Sequence, residues 1–142
     1  MLNLTILAVA YKPKVELVNR LVENLSSNYS ILIINNSLNK LSENLYHKKN
    51  LEIIDNPSNL GNGAGINVGL MKIKTKYVLY LDFDSSIDSN NLKKLDDYAK
   101  KLKDFAVLIP NSTNKDQNLE PYKTWQIEGS IMLFNLEKIK NK

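Results

Sequence analysis

The chain has 142 residues, of which 43% are hydrophobic and 24% are charged, with 19 lysines and arginines against 15 acidic residues. This length and balance predict a single globular domain covering residues 1–142. The chain has no cysteine, which excludes disulfides and thiolate metal sites and agrees with a reducing, cytoplasmic compartment. Arg20 is the only arginine, so bidentate contacts with phosphates and base edges are poorly supplied, and we expect no nucleic-acid partner.

The first ten residues are apolar, but they lack the cationic start and the cleavage site of a signal peptide. We interpret them as a first strand. The formal net charge of +4 would permit weak peripheral contact with an anionic membrane, such as the inner face of a cell membrane.

Apolar runs of strand length alternate along the chain with segments of helical periodicity. We predict strands at 3–10, 30–34, 51–55, 77–81, 105–109 and 125–134, and helices at 15–25, 41–46, from 62, at 92–102 and from 136. The helix from 62 should turn Ile66, Leu70 and Ile73 inward. Such alternation predicts a three-layer α/β/α sandwich with a mostly parallel central sheet.

Polar residues follow most of the predicted strands. In open α/β sheets ligands bind outside the carboxyl ends of the strands, so these side chains should meet at one edge. Asn, Asp and Ser also end strands simply because they suit turns. The residues concerned are Tyr11-Lys12, Asn35-Asn36-Ser37, Asp55-Asn56, Asp82-Phe83-Asp84 and Asn111-Ser112.

The most informative of these positions are Asp82 and Asp84, which end the apolar run Tyr-Val-Leu-Tyr-Leu with one residue between them. Two carboxylates at a strand end form an oxygen-only site. Such a site suits Mg²⁺ or Mn²⁺ shared with the phosphates of a ligand. The pair therefore predicts a divalent metal held by Asp82 and Asp84 beside a nucleotide diphosphate.

A loop rich in asparagine and glycine, at 59–69, precedes this strand. It is not a dinucleotide fingerprint, because the third glycine counted from Gly61 comes one place too early and the loop follows a third strand. Its glycines would allow close backbone approach and would present amide groups at a helix start, where an anion is favoured. The alternative is that they serve a tight turn and close packing of helix against sheet.

Two other interpretations of the aspartate pair fit less well. A calcium-binding EF-hand loop beginning at Asp82 would have Ile87 in place of its glycine and Lys93 in place of its final glutamate. A haloacid-dehalogenase-like phosphatase would use Asp82 as its nucleophile, but its motif belongs on the first strand, whereas three predicted strands come before Asp82.

The ordered set of segments resembles the family 2 glycosyltransferases with a GT-A fold, and within them a rhamnosyltransferase-like branch. The resemblance covers almost the whole chain. The matching segments are Ala-Val-Ala-Tyr-Lys-Pro at 8–13, Ile-Ile-Asn-Asn-Ser at 33–37, Asn-Leu-Gly-Asn-Gly-Ala-Gly-Ile-Asn-Val-Gly at 59–69, Tyr-Val-Leu-Tyr-Leu-Asp-Phe-Asp at 77–84 and Glu-Gly-Ser-Ile-Met-Leu-Phe at 128–134.

The resemblance implies inverting transfer of a sugar from a nucleotide-diphosphate sugar to a glycan or lipid-linked acceptor, in polysaccharide biosynthesis. Tyr11 and Asn35 would flank the nucleobase, Asp82 would hold the ribose or a metal-bound water, and Asp84 would ligate the metal. The full set of nucleotide-sugar-binding positions is Ala10, Tyr11, Asn35, Asn59, Gly61, Asn62, Asn67, Asp82, Phe83 and Asp84.

The chain departs from the family pattern in two ways. Relatives usually carry Asp at the position of Asn35, where it accepts a hydrogen bond from the ring N–H of the base. The general base of the family lies beyond the segment at 128–134, so we expect these 142 residues to be a C-terminally truncated, donor-binding portion, inactive or weakly active alone. Glu128 is the nearest acidic residue to serve as a base. A non-catalytic nucleotide-sugar-binding module is therefore the main alternative.

Overall fold

The computed structural model describes residues 3–25, 27–102, 104–110, 121, 123 and 129–139. Within these residues, strands and helices alternate as predicted. The strands are β1 (Leu4–Ala10), β2 (Ser30–Asn35), β3 (Leu51–Asp55), β4 (Tyr77–Leu81), β5 (Val107–Leu108) and β6 (Ile131–Asn135). The helices are α1 (Val15–Leu25), α2 (Glu43–Tyr46), α3 (Asn62–Lys72), α4 (Ser89–Leu102) and α5 (Leu136–Ile139).

The strands form one sheet with the order β3-β2-β1-β4-β6-β5. The first four are mutually parallel, and β6 pairs antiparallel with both β4 and β5. Among the described strands β6 is therefore the one that runs in the opposite direction. The mostly parallel sheet is confirmed, while the reversal of β6 is a feature that the sequence pattern did not indicate.

Helices cover both faces of the sheet, because alternate residues of a strand point to opposite sides. On one face α1, α2 and α4 contribute Val22, Leu45 and Leu95 to a core shared with Ile6 and Leu79. On the other face the α3 residues Ile66 and Leu70 pack with Leu7, Val78 and Tyr80, and Leu136 of α5 joins them. Each fully buried leucine or isoleucine contributes about 1.5–3 kcal/mol. The predicted three-layer sandwich is confirmed, as is the inward orientation of Ile66, Leu70 and Ile73.

Several element boundaries differ from the predictions. The second helix begins at Glu43 rather than 41, and the fifth strand is limited to Val107–Leu108. The sixth strand begins at Ile131, and the predicted strand residues 125–128 lie outside the described part of the chain. The last helix is described as far as Ile139, and the predicted loop residues 111–120 lie outside the description.

Candidate functional site

The predicted site residues lie at the carboxyl end of the parallel strands. Ala10, Asn35 and Asp55 are cross-strand neighbours in register at the ends of β1, β2 and β3. Residues in register share a face, so these three lie on the α1 side of the sheet. Asp82 follows β4 and, being two residues after Tyr80, continues on the α3 side. The carboxyl edge therefore carries two adjoining groups of polar residues, one on each face.

Asp82 is anchored on both sides of its peptide. Its N–H donates to the carbonyl of Ser130 at 2.9 Å, and its own carbonyl accepts from the N–H of Ser85 at 3.0 Å. Its carboxylate accepts a hydrogen bond at Oδ1 from the hydroxyl of Tyr80. Asp82 is half-buried, and no described residue donates to its Oδ2 atom. One carboxylate oxygen is thus fixed while the other remains available to a ligand.

Tyr80 connects this carboxylate to the start of α3. Its side chain is 1% exposed, and its hydroxyl lies 3.0 Å from the amide oxygen atom of Asn62. A phenol has a single proton, so the hydroxyl donates to one of these two oxygen atoms at a time, and the charged carboxylate of Asp82 is the stronger acceptor. Burial raises the pKa of the Tyr80 hydroxyl, and the hydrogen bond to Asp82 raises it further. The hydroxyl therefore stays protonated at neutral pH.

Asp84 is exposed one residue beyond the half-buried Phe83. The charge of Asp84 also raises the pKa of the Tyr80 hydroxyl, as the smallest of its causes. The carbonyl of Phe83 accepts a hydrogen bond from Arg20 of α1 at 3.3 Å. Within the described part of the chain, no group of three or more His, Cys, Asp or Glu side chains could hold a metal ion. The two aspartates offer the oxygen atoms that Mg²⁺ and Mn²⁺ prefer, but a cation here would need further ligands from phosphates or water.

The glycine-rich segment forms a turn that leads into α3. Gly61 precedes the helix with φ 80°, a left-handed conformation that favours glycine, and its N–H donates to Asn59 Oδ1 at 2.9 Å. The Gly61 carbonyl accepts from Asn36 Nδ2 at 3.0 Å. No atom lies within 4 Å of a Cβ built at Gly61 or Gly63. Residues 61–64, at the start of α3, are all exposed.

The other two glycines of this segment pack against the sheet. A Cβ added at Gly65 would lie 2.8 Å from Val9 Cγ1, and one added at Gly69 would lie 2.3 Å from Leu7 Cδ1. The alternative explanation of close helix–sheet packing is therefore confirmed for Gly65 and Gly69. Asn67 lies between them on the exposed side of α3, and no contact described here joins it to the other predicted site residues.

Asn35 is fully buried, and all of its side-chain groups are engaged. Its amide oxygen accepts from the N–H of Ser37 at 3.0 Å, and its amide nitrogen donates to the carbonyl of Asn39 at 3.0 Å and to Asp55 Oδ1 at 2.7 Å. Asp55 also accepts from the hydroxyl of Tyr46, at 2.9 Å. Asp55 itself is exposed. The acceptor that solvent can reach at this position is consequently the carboxylate of Asp55.

Tyr11 directly follows β1 at the carboxyl edge of the sheet. Its side chain is 54% exposed, and the ammonium of Lys12 lies 5.4 Å from the centre of its ring. Lys12 has a positive φ of 46°, and its N–H donates to Ser37 Oγ at 2.7 Å, which ties this turn to the end of β2. Ala10 is fully buried, and its carbonyl accepts from the N–H of Asn36 at 2.7 Å. Tyr11 thus offers an aromatic face at the edge of the sheet.

The structure brings together Asn62 and Asp82, and it places Asn59 with Gly61 and Ala10 with Asn35. It adds residues that the sequence analysis did not select as site residues. Asn36 joins β2 to the glycine turn and accepts from Asn56 at 2.7 Å. Tyr80 could have been found, because strand alternation places it on the same face as Asp82. Asp55 was already among the polar strand-end residues, but its hydrogen bond with Asn35 depends on the register of β3. Tyr46 could not have been found, because its contact is with Asp55.

Glu128, the candidate base, lies outside the described residues, as does Trp125. The described helices include none that is long and apolar enough to cross a membrane.

The chain matches a family model described as glycosyl transferase family 2 over residues 14–141. It therefore belongs to the family 2 glycosyltransferases. No curated protein matches it. Solved structures that are similar include the S. aureus TarS 1-349 structure, with a TM-score of 0.70 at 16% identity over 99% of this chain and 49% of that one. Another is the mannosyltransferase PcManGT from Pyrobaculum calidifontis in complex with GDP-Man and Mn2+, with a TM-score of 0.71 at 12% identity over 98% of this chain and 46% of that one.

These likenesses show a GT-A-like fold, and the chain spans about half the length of the similar structures. The family match also settles the phosphatase alternative, which is not supported. In agreement with that result, the strand that leads to Asp82 is the fourth in the chain rather than the first.

Proposed function

We propose that this domain binds a nucleotide-diphosphate sugar and transfers the sugar, with inversion, to the hydroxyl of a glycan or lipid-linked acceptor. The observation that carries the proposal is the convergence of Asp82 and the first turn of α3 at one edge of the sheet, through Tyr80 and Asn62. Because the chain belongs to family 2 of the glycosyltransferases, we interpret this convergence as a donor-binding site.

The nucleobase would bind on the α1 side of the edge. Tyr11 offers an exposed ring on which a base can stack, and stacking of this kind accepts any base. Because Asn35 is fully buried and its amide oxygen already accepts from Ser37, we assign the hydrogen bond from the ring N–H of the base to Asp55, with Asn35 and Tyr46 orienting its carboxylate. A charged acceptor makes a stronger hydrogen bond than an amide oxygen does.

The diphosphate would bind between the start of α3 and the aspartate pair. The free amides of the first helical turn favour an anion, and Asn59, Gly61 and Asn62 border them. Asp82 Oδ2 and Asp84 are the groups that would hold Mg²⁺ or Mn²⁺, since both offer carboxylate oxygen atoms directly after β4. The cation would offset the negative charge that develops on the departing diphosphate. The Mn2+ and GDP-Man in the PcManGT structure support this assignment.

The reaction breaks the bond between the anomeric carbon and a diphosphate oxygen and forms one between that carbon and the acceptor oxygen. The acceptor proton must pass to a general base. Glu128 is the candidate within this sequence, and a carboxylate in a further segment is the alternative that the family resemblance implies. We place the reaction at the cytoplasmic face of a membrane, on a cell-surface glycan precursor, in a rhamnosyltransferase-like branch of the family.

The second candidate is a nucleotide-sugar-binding module without catalysis. What favours it is that the described residues assigned above all serve donor binding, and none of them is assigned as the general base. Both functions require nucleotide binding, and they differ only in turnover.

A thermal-shift titration with UDP, dTDP and GDP, each with and without Mn²⁺, tests the common part. A ligand that binds only the folded state at about 100 times its Kd stabilises that state by about 2.7 kcal/mol, so the melting temperature should rise with one nucleotide and rise further with Mn²⁺. No shift with any nucleotide would reject both candidates. Hydrolysis or transfer of the sugar by this chain would then decide for the transferase over the module.

A further inference from the structure

We infer that Tyr80 is a positioning residue for the cation, which fixes the carboxylate of Asp82 and couples it to the start of α3. This inference rests on the proposed function and names a residue through which that site acts. Tyr80 touches neither nucleotide nor sugar in this arrangement, and it acts through Asp82 and Asn62.

The ring of Tyr80 is well placed to hold a neighbour still. It is 1% exposed and lies in the core between the sheet and α3, with Leu7, Ile34 and Val78. Its strand is hydrogen-bonded on both sides, to β1 and to β6. A phenol has two side-chain torsions, and close packing fixes both. The hydroxyl therefore occupies a defined position at the carboxyl edge.

A neutral donor suits a carboxylate that must also bind a cation. A lysine or arginine at this position would orient Asp82 equally well but would repel the metal. The Tyr80 hydroxyl engages Oδ1 and leaves Oδ2 free of any described donor. It thereby restricts the rotation of the Asp82 carboxylate.

The contact with Asn62 extends the effect to the anion site. Asn62 is the first residue of α3, so its amide sits where the diphosphate would meet the helix amides. Tyr80 therefore joins the residues proposed for the metal to the helix end proposed for the phosphates. Residues that orient metal ligands typically change metal affinity about 10- to 100-fold when they are removed.

The test compares Tyr80→Phe with Tyr77→Phe. Both remove the hydroxyl of a buried tyrosine of β4 and keep its ring, but Tyr77 lies at the opposite end of the strand and on the other face. The affinity for the preferred nucleotide is measured by calorimetry with EDTA and with increasing Mn²⁺. In Tyr80→Phe we expect the Mn²⁺ affinity of the complex to fall about tenfold. The nucleotide affinity without metal should fall by less than that, because only the contact with Asn62 acts on the anion site. Tyr77→Phe should match the wild type in both.

Unchanged Mn²⁺ affinity in a folded Tyr80→Phe protein would overturn the inference while leaving the proposed function intact. Equal loss of metal-free and metal-dependent binding would also overturn it, because it would show a purely structural role. If Tyr80→Phe does not fold, Asn62→Ala keeps the ring and removes the second partner of the hydroxyl, and it should lower the Mn²⁺ affinity. No effect of Mn²⁺ on nucleotide binding by the wild-type protein would reject the proposed function and this inference with it.

Discussion

The side-chain amide of Asn35 donates a hydrogen bond to the carboxylate of Asp55 across the β2–β3 pair, at 2.7 Å. The two residues are exact register partners at the carboxyl ends of their strands. Because the amide nitrogen also serves the carbonyl of Asn39, Asn35 is a donor to two acceptors at once. Position 35 therefore requires an amide. The negative charge at this part of the edge is carried by Asp55 at the end of β3, and not by the residue at the end of β2.

Asn35→Asp should therefore destabilise the fold. The variant would face Asp55 and the Asn39 carbonyl with no proton to donate, at an expected cost of about 2–4 kcal/mol at neutral pH. One carboxyl of the variant pair should retain a proton in the folded state. The folded state then binds more protons than the unfolded one, so the deficit should shrink as the pH falls toward about 4. Urea unfolding at a series of pH values measures it.

The double variant Asn35→Asp, Asp55→Asn is the control for that experiment. It restores one amide–carboxylate pair with the roles exchanged, so it should recover part of the lost stability. A pH-independent deficit, or no recovery in the double variant, would contradict the interpretation of this pair.

The free energy of unfolding should depend on the ionisation of the Tyr46 hydroxyl at alkaline pH. Burial raises the pKa of its hydroxyl, and the hydrogen bond to Asp55 raises it further. A group whose pKa is raised on folding contributes stability that is complete below its unfolded pKa and is lost as the pH rises through the folded one. Tyr46→Phe should therefore be less stable than the wild type at pH 8, and the difference should narrow above pH 10, the unperturbed value. Urea unfolding from pH 8 upward measures the difference, and a constant difference would disprove the link.

Gly69→Ala should lower the free energy of unfolding by about 1–3 kcal/mol, because overpacking forces shifts in a dense core. The new Cβ would meet Leu7 Cδ1 at 2.3 Å, and Leu7 is fully buried in the middle of the sheet. Gly63→Ala is the matched control in the same helix, with no atom within 4 Å of its Cβ. It should be neutral or stabilise by up to about 1 kcal/mol. Chemical denaturation compares the two, and equal effects would show that α3 does not pack as described.

Asp84→Ala and Asp88→Ala each remove one negative charge, but they should affect different properties, metal binding in the first variant and stability in the second. Asp88 precedes α4, and its carboxylate accepts from the N–H and from the side-chain amide of Asn91, both at 2.8 Å. Its loss should cost about 1 kcal/mol of stability, as loss of a helix cap does, without affecting nucleotide binding. Asp84→Ala should leave the unliganded stability nearly unchanged and abolish the additional thermal shift with Mn²⁺. Retention of that shift would exclude Asp84 as a metal ligand.

The layer architecture was predictable because alternating periodicities in the sequence encode it directly. The same alternation predicted that Asp82 and the start of α3 would share an edge, and the structure joins them through Tyr80. The direction of β6 was not predictable, since the apolar run at 131–134 suits a strand of either direction. Its direction follows from pairing with β4, which is a tertiary contact.

The state of Asn35 was beyond sequence reasoning for a different reason. The sequence shows that residue 35 carries an amide. Whether that amide is free to bind a ligand depends on Asp55, a hydrogen-bond partner 20 residues away in the chain. The register of β2 against β3 determines its hydrogen bond to Asp55, and the turn that follows β2 determines those with Ser37 and Asn39. The roles proposed for Tyr11, Asn67 and Glu128 remain predictions.

The reversed course of β6 means that the chain enters this strand at the ligand-binding edge, where the carbonyl of Ser130 holds the peptide of Asp82. Evolutionary insertions are consequently constrained at residues 129–131. A single added residue there would slip the ladder by one place, turn every β6 side chain over and withdraw the carbonyl on which Asp82 rests. Insertions and deletions should be better tolerated at positions further from residues 129–131.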